Sequence, residues 1–133
     1  MFKRLLNGFA VAALLLGTLA TPLLAADLAP SPVGKWQVTT GESRFQVTTC
    51  GDGTELCAKL VWLRKDMRTA ENLKYLNTYV LKGALPVDAN KWRGTVQYQG
   101  QTVGGSLTLV DNDRMVLTGC QLVICQRIDF TRL

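Results

Sequence analysis

The sequence predicts an all-β protein: a small eight-stranded antiparallel up-and-down β-barrel preceded by a signal peptide. Three observations carry this reading. Apolar and polar residues alternate with period two through most of the chain after Val33, and Gly, Asn and Asp punctuate the alternation at short intervals. All four cysteines, Cys50, Cys57, Cys120 and Cys125, lie in this alternating part. The first two dozen residues differ from it entirely, running from a charged start through an apolar stretch to small residues.

The leader opens with Lys3 and Arg4, continues through the uncharged run from Phe9 to Ala20, breaks at Thr21-Pro22 and reaches Ala25-Ala26 before the first acidic residue, Asp27. Charged, apolar and small segments in that order mark a secretory signal peptide, with cleavage after Ala25 or Ala26. Leu23 or Leu24 then occupies the position three before the cut, where a small residue is usual, so an uncleaved anchor is the competing reading. The domains expected are a signal peptide over 1–26, a linker over 27–33, in which Pro30 and Pro32 forbid a helix, and a barrel over 34–133. No cysteine lies near the cut to take a lipid, and after cleavage no membrane span remains. The expected location is periplasmic or secreted.

Strands are expected at about 35–40, 43–50, 56–63, 78–82, 91–98, 101–110, 114–120 and 125–132. Gly41-Glu42 reads as a tight two-residue turn between the first two. Alternation sends Trp36, Val38 and Thr40 inward from the first strand, then Phe45, Val47 and Thr49, then Leu56, Ala58, Leu60 and Trp62. From the second half come Trp92, Gly94, Val96 and Tyr98, then Val103, Gly105, Leu107 and Leu109, then Met115 and Leu117, then Ile128 and Phe130. The one long connection, Arg64 to Asn77, has room for a turn or two of helix, and Gly83 to Asn90 reads as a loop. Closing eight sequential hairpin strands into a barrel removes both sheet edges.

An even number of cysteines in a small exported domain argues for disulfides over zinc, whose usual ligand spacings are missing. Cys50 and Cys57 fall on the outer face of one hairpin, Cys120 and Cys125 on that of another. Direct pairing would set Val47 opposite Leu60 and Phe45 opposite Trp62 in the first, Leu117 opposite Ile128 and Met115 opposite Phe130 in the second. Of the three connectivities four cysteines allow, this agreement favours the two local bridges.

Gly34-Lys-Trp36 opens the first strand and Arg132 closes the last, both side chains pointing inward on strands that neighbour each other in a closed barrel. The pattern resembles the lipocalin-like closure, in which an early tryptophan stacks under an arginine of the final strand. A wider set covers Val33 to Leu133: Gly34-x-Trp36, Cys50-Gly51, the segment Leu56 to Leu63, Trp92-Arg-Gly94, Gly119-Cys120 and Phe130-Thr-Arg132. It is similar to the small exported bacterial family known as domain of unknown function 2147, which implies a lipocalin-like barrel in the cell envelope and no established activity. Ala58 stands where that family usually has glycine and Phe130 where tryptophan is common. An Asp-Pro-x-x-Gly insertion after Trp92 and an Asn-Pro step between Thr69 and Asn77 are also missing, so the resemblance is to a divergent member.

The chain contains no histidine. Ser-His-Asp and Cys-His catalysis, histidine metal sites and a histidine pH switch are excluded together. Its carboxylates sit at turns (Glu42, Asp52, Glu55, Asp111, Asp113) or on the outer face (Asp129), with no partner in a cleft, so no enzyme, cofactor or metal is expected. Without the leader's Lys3 and Arg4 the excess of 15 Lys and Arg over 10 Asp and Glu becomes mild, and the charges are scattered, so nucleic acid is not a partner.

What remains is binding. Eight-stranded barrels are either filled by side chains or hold one small ligand, and the sequence leaves both open. A small apolar or amphipathic ligand would meet Trp36, Trp62, Trp92, Tyr98 and Arg132, each of which also has a packing role as its alternative. Gly94, Gly105 and Ala58 mark where a void could form. If the core is filled, the loops Arg64–Asn77 and Gly83–Asn90 are the material for contact with an envelope protein.

Overall fold

The structure, a computed structural model, describes residues 30–133 except Gln99, and the single residue Gly17. The expected signal peptide and the first residues of the linker lie outside the described residues. Eight antiparallel strands close into one barrel in sequence order: β1 (Gly34–Val38), β2 (Ser43–Cys50), β3 (Glu55–Leu63), β4 (Tyr79–Asp88), β5 (Lys91–Tyr98), β6 (Gln101–Leu109), β7 (Arg114–Gln121) and β8 (Ile124–Arg132). The ring is closed by β1 pairing with β8, Trp36 opposite Arg132. Each strand therefore has a partner on both sides and the barrel leaves no free edge. A 3-10 turn (Lys65–Met67) and one helical turn α1 (Ala70–Leu73), capped by the Thr69 hydroxyl accepting from the Asn72 amide at 3.1 Å, occupy the long connection.

Period-two alternation explains most of the core. Trp36, Val47, Leu56, Ala58, Leu60, Val96, Leu107, Leu109, Met115 and Phe130 are buried, each at a position that spacing alone turns inward. Hairpin β7–β8 keeps the expected register, with Leu117 opposite Ile128, Met115 opposite Phe130 and Cys120 opposite Cys125.

The departures have two causes: turns that close in another register, and extra residues in one strand of a pair. Hairpin β2–β3 is offset by two from the direct pairing, with Val47 opposite Ala58 and Phe45 opposite Leu60. Cys50 thus faces Glu55 and reaches Cys57 diagonally on the same outer face. Beyond Phe45, a bulge inserts Val61 as an unmatched residue, and Arg44 pairs with Trp62. One extra residue reverses the faces. Trp62, expected inward, lies on the outer wall with the Arg44 guanidinium 4.3 Å from its ring centre, and Leu63 takes its place inside. Thr49, also expected inward, is exposed.

The first turn is longer than expected. β1 stops at Val38, Thr40 is exposed, and Thr39 to Glu42 make a four-residue connection around Gly41, whose φ is +79°. The stretch expected as a loop after residue 82 is strand instead, β4 running to Asp88. A second bulge makes this feasible: Lys82 faces Thr95 and Leu85 faces Arg93, so Gly83 and Ala84 together oppose Gly94. Gly83 takes φ +57°, a conformation that suits glycine at such a bulge. Past Ala84 the strand has lost β3 as a neighbour, so Pro86 stands where β4 pairs with β5 alone.

The bulge also explains Gly94. A β-carbon there would sit 2.9 Å from the Ala84 Cα and 3.0 Å from its Cβ, and Ala84 is fully buried. Gly94 and its cross-strand partner Gly105 are therefore points of close approach and leave no void. Gly94→Ala should lower stability by about 1–3 kcal/mol, because the obstacle is backbone and the strands must separate. Gly105→Ala should cost less, since the nearest atom is a movable Val96 methyl at 2.7 Å. Chemical denaturation of both variants checks the order.

Candidate functional site

The two ends of the barrel are built differently. At the end that carries the 51–54, 89–90 and 110–113 turns, the interior is solid. Trp36 is completely buried there, and its indole N–H donates to the Pro32 carbonyl at 2.8 Å. The Arg132 guanidinium stacks 4.3 Å from the ring centre and donates to the carbonyls of Val33, Ser31 and Asn112. Five donors in a flat fork let one side chain tie the entering segment, the exit strand and a turn together over an aromatic face. The expected Trp36–Arg132 pairing is present, as the floor of the barrel.

At the other end the interior is open. A cavity of about 540 Å3 enters between the 39–42 turn and the long connection. Its wall is apolar: Phe45, Leu60, Leu81, Leu107, Leu117 and Ile128 lie around it, with Met115 and Phe130 deeper. Phe45 and Phe130 meet edge to face, ring centres 5.6 Å apart, which fixes both rings against the wall. Met67, Asn72 and Tyr75 of the connection form a partial roof. Asn72 is itself held by its amide donating to the Met67 carbonyl at 2.8 Å. A second lobe of about 460 Å3 shares Val96, Leu117 and Ile128 with the first and runs out toward Val103 and the β7–β8 tip.

Charge is confined to the rim. Arg127 and Asp129 border the opening as an ion pair, two guanidinium nitrogens lying 3.1 and 2.7 Å from one carboxylate oxygen. That hydrogen bonding holds the Asp129 carboxyl below its usual range and raises Arg127. Asp66 is lowered in the same way by Arg64, Asp52 by the Thr54 hydroxyl and amide, and Asp111 by the Asp113 amide and Arg114. All are exposed turn or surface groups. Among the described residues no polar or charged residue is buried inside the barrel, and no group of His, Cys, Asp or Glu is arranged to hold a metal.

Four of the five residues singled out by sequence as ligand contacts lie away from the cavity. Trp36 and Arg132 make the floor, Trp62 is on the outer wall, and Trp92 packs at the solid end between Pro86 and Leu107. Tyr98 ends β5 at the open end, opposite Gln101, and its side chain lies outside the described residues. The cavity wall is instead made of aliphatic residues and two phenylalanines, with Tyr75 in the roof. Alternation turns most of these inward, but spacing along a strand does not tell which end of the barrel is filled. Leu81 and the roof could not be reached by alternation, because bulges interrupt β4 and the connection has no period.

The family model described as an uncharacterized protein conserved in bacteria, DUF2147, matches residues 34–132, the entire barrel. The chain belongs to the DUF2147 family. No curated protein and no solved structure matches it significantly. In this family member both cysteine pairs are bonded, Cys50 to Cys57 and Cys120 to Cys125. Two disulfides in so small a domain are the mark of an oxidising, extracytoplasmic compartment. No helix among the described residues is long and apolar enough to cross a membrane.

Proposed function

We propose that this DUF2147 protein is a non-enzymatic, lipocalin-like binding module of the bacterial envelope, exported by its N-terminal leader, that holds one small apolar or amphipathic ligand. The observation that carries this is the apolar cavity at the open end, of a size typical of small-molecule sites. An apolar chain would lie against Phe45, Leu60, Leu117 and Ile128, and a polar head would remain at the rim beside Ser43, Gln97, Arg127 and Asp129. The perturbed carboxyls all belong to exposed pairs and turns, which supports binding without chemistry. A barrel acting only through its loops would leave the open end unexplained.

Titration with N-phenyl-1-naphthylamine, followed by dodecanoate competition, tests this reading. The dye should brighten saturably with one site per chain and be displaced by the fatty acid. Leu117 borders both lobes, so Leu117→Trp should weaken dye binding about tenfold, corresponding to the roughly 1.4 kcal/mol of contact a bulky intruder displaces, with the melting temperature little changed. No saturable binding in the parent protein would refute the proposal.

A further inference from the structure

The hairpin β7–β8 turns through Leu122 and Val123 alone, and it is the most apolar exposed feature among the described residues. Leu122 is 97% exposed, Val123 96% and Ile124 68%. Turn chemistry does not ask for these residues. Leu122 holds φ +55°, and Val123 does not share the positive φ, a pattern for which glycine is favoured at the first position. A branched side chain there is strained and gains no packing in return. The tip is also braced, since Cys120 and Cys125 are bonded just behind it. An aliphatic tip is thus projected stiffly into solvent at a conformational cost.

Its position gives it meaning. Up-and-down topology puts this tip at the open end, and Leu122, Val123 and Ile124 border the second lobe of the cavity. Across the same end, the connection between β3 and β4 carries Arg64, Lys65, Arg68 and Lys74 against Asp66 and Glu71. Arg64 pairs with Asp66 and Lys74 with Glu71, and among the described residues Lys65 and Arg68 have no salt-bridge partner. Glu42 of the 39–42 turn lies at the same end and offsets one of these charges, so this end combines an aliphatic wedge with a small excess of positive charge. Protein-binding hot spots favour Trp, Tyr and Arg, with Leu and Val under-represented. A bilayer surface takes aliphatic side chains below its headgroups and attracts cations to anionic ones.

We propose that the β7–β8 tip inserts shallowly into an anionic lipid surface, docking the open end of the barrel on the membrane so that an amphipathic ligand passes between bilayer and cavity. This rests on the cavity reading above for the ligand, and on the tip alone for the docking. Residues 30–133 contain the whole closed barrel with its Trp36 floor, and this form removes the apolar leader from the assay.

The test is flotation with vesicles of phosphatidylethanolamine and phosphatidylglycerol, beside vesicles of phosphatidylcholine alone. The parent should float with the anionic vesicles and much less with the neutral ones. Leu122→Gly/Val123→Ser supplies a residue the turn favours and should melt no lower than the parent, yet lose about tenfold or more in vesicle partitioning. Its melting temperature, and not its dye binding, is the control for folding, because both residues also border the second lobe. Equal flotation of parent and variant, as expected if the tip contacts a protein instead, would overturn the proposal, as would no flotation of the parent. Vesicle binding without dye binding would leave the docking standing and remove the cavity reading. Dye binding without vesicle binding would do the reverse.

Discussion

Trp36→Ala should destabilise the barrel by about 4 kcal/mol, a large share of the stability of a domain this size. The side chain is fully buried, so its removal leaves a cavity in the solid half of the barrel, within the core cluster that includes Leu56, Val47 and Met115. The neighbours are strand residues fixed by ladders on both sides and cannot collapse into the space. The substitution also removes the hydrogen bond to Pro32 and the face on which Arg132 rests. Trp36→Phe keeps a ring under the guanidinium and should cost about 1–2 kcal/mol. Urea denaturation of the two variants separates the contributions. If Trp36→Ala unfolds at the parent's midpoint, the solid floor is not what closes the barrel.

Loss of both disulfides is the second large effect expected. Each bridge closes a short loop, with sequence separations of 7 and 5, so the chain-entropy estimate is about 2–2.5 kcal/mol apiece. The bridges sit at opposite ends of the barrel, Cys50–Cys57 beside the floor and Cys120–Cys125 beside the open end, and share no partner. Their effects should therefore add. Replacing all four cysteines with serine should cost about 4–5 kcal/mol and lower the melting temperature by about 20 °C. Each double variant should lose about half of that and keep the other bridge intact by mass. A melting temperature unmoved by reduction would show that the barrel does not depend on an oxidising compartment.

The residues that made the fold legible are the ones whose faces the backbone period alone decides. Cys120 and Cys125, with Leu117, Met115, Ile128 and Phe130 between and behind them, specified the β7–β8 register because no bulge interrupts that hairpin. Trp36 and Arg132 were identifiable as a pair because closure makes the first and last strands neighbours. Alternation misplaces Trp62 because a single unmatched residue, Val61, reverses every face beyond it, and its cost is not written in local composition. β4 was cut short because Gly83 and Pro86 read as loop punctuation, whereas Gly83 supplies a bulge and Pro86 lies where a ladder has already ended.

The candidate site was less legible for a related reason. Indole and phenol side chains attract attention as ligand contacts, yet a large aromatic is also the efficient way to plug a barrel end, as Trp36 does. Which end stays open depends on three-dimensional volume, on the close approach of Gly94 to Ala84 and on how far Met67 and Tyr75 reach over the opening. None of these has a sequence period.

The central claim is that a barrel solid at the Trp36 end is open to an apolar ligand at the other. Amide chemical-shift mapping of the 15N-labelled protein during titration with dodecanoate tests it most directly. Saturable shifts are predicted at Phe45, Leu60, Leu117 and Ile128, with Trp36, Asn112 and Arg132 unmoved. Shifts confined to the outer wall around Arg44 and Trp62, or none that saturate, would contradict the account.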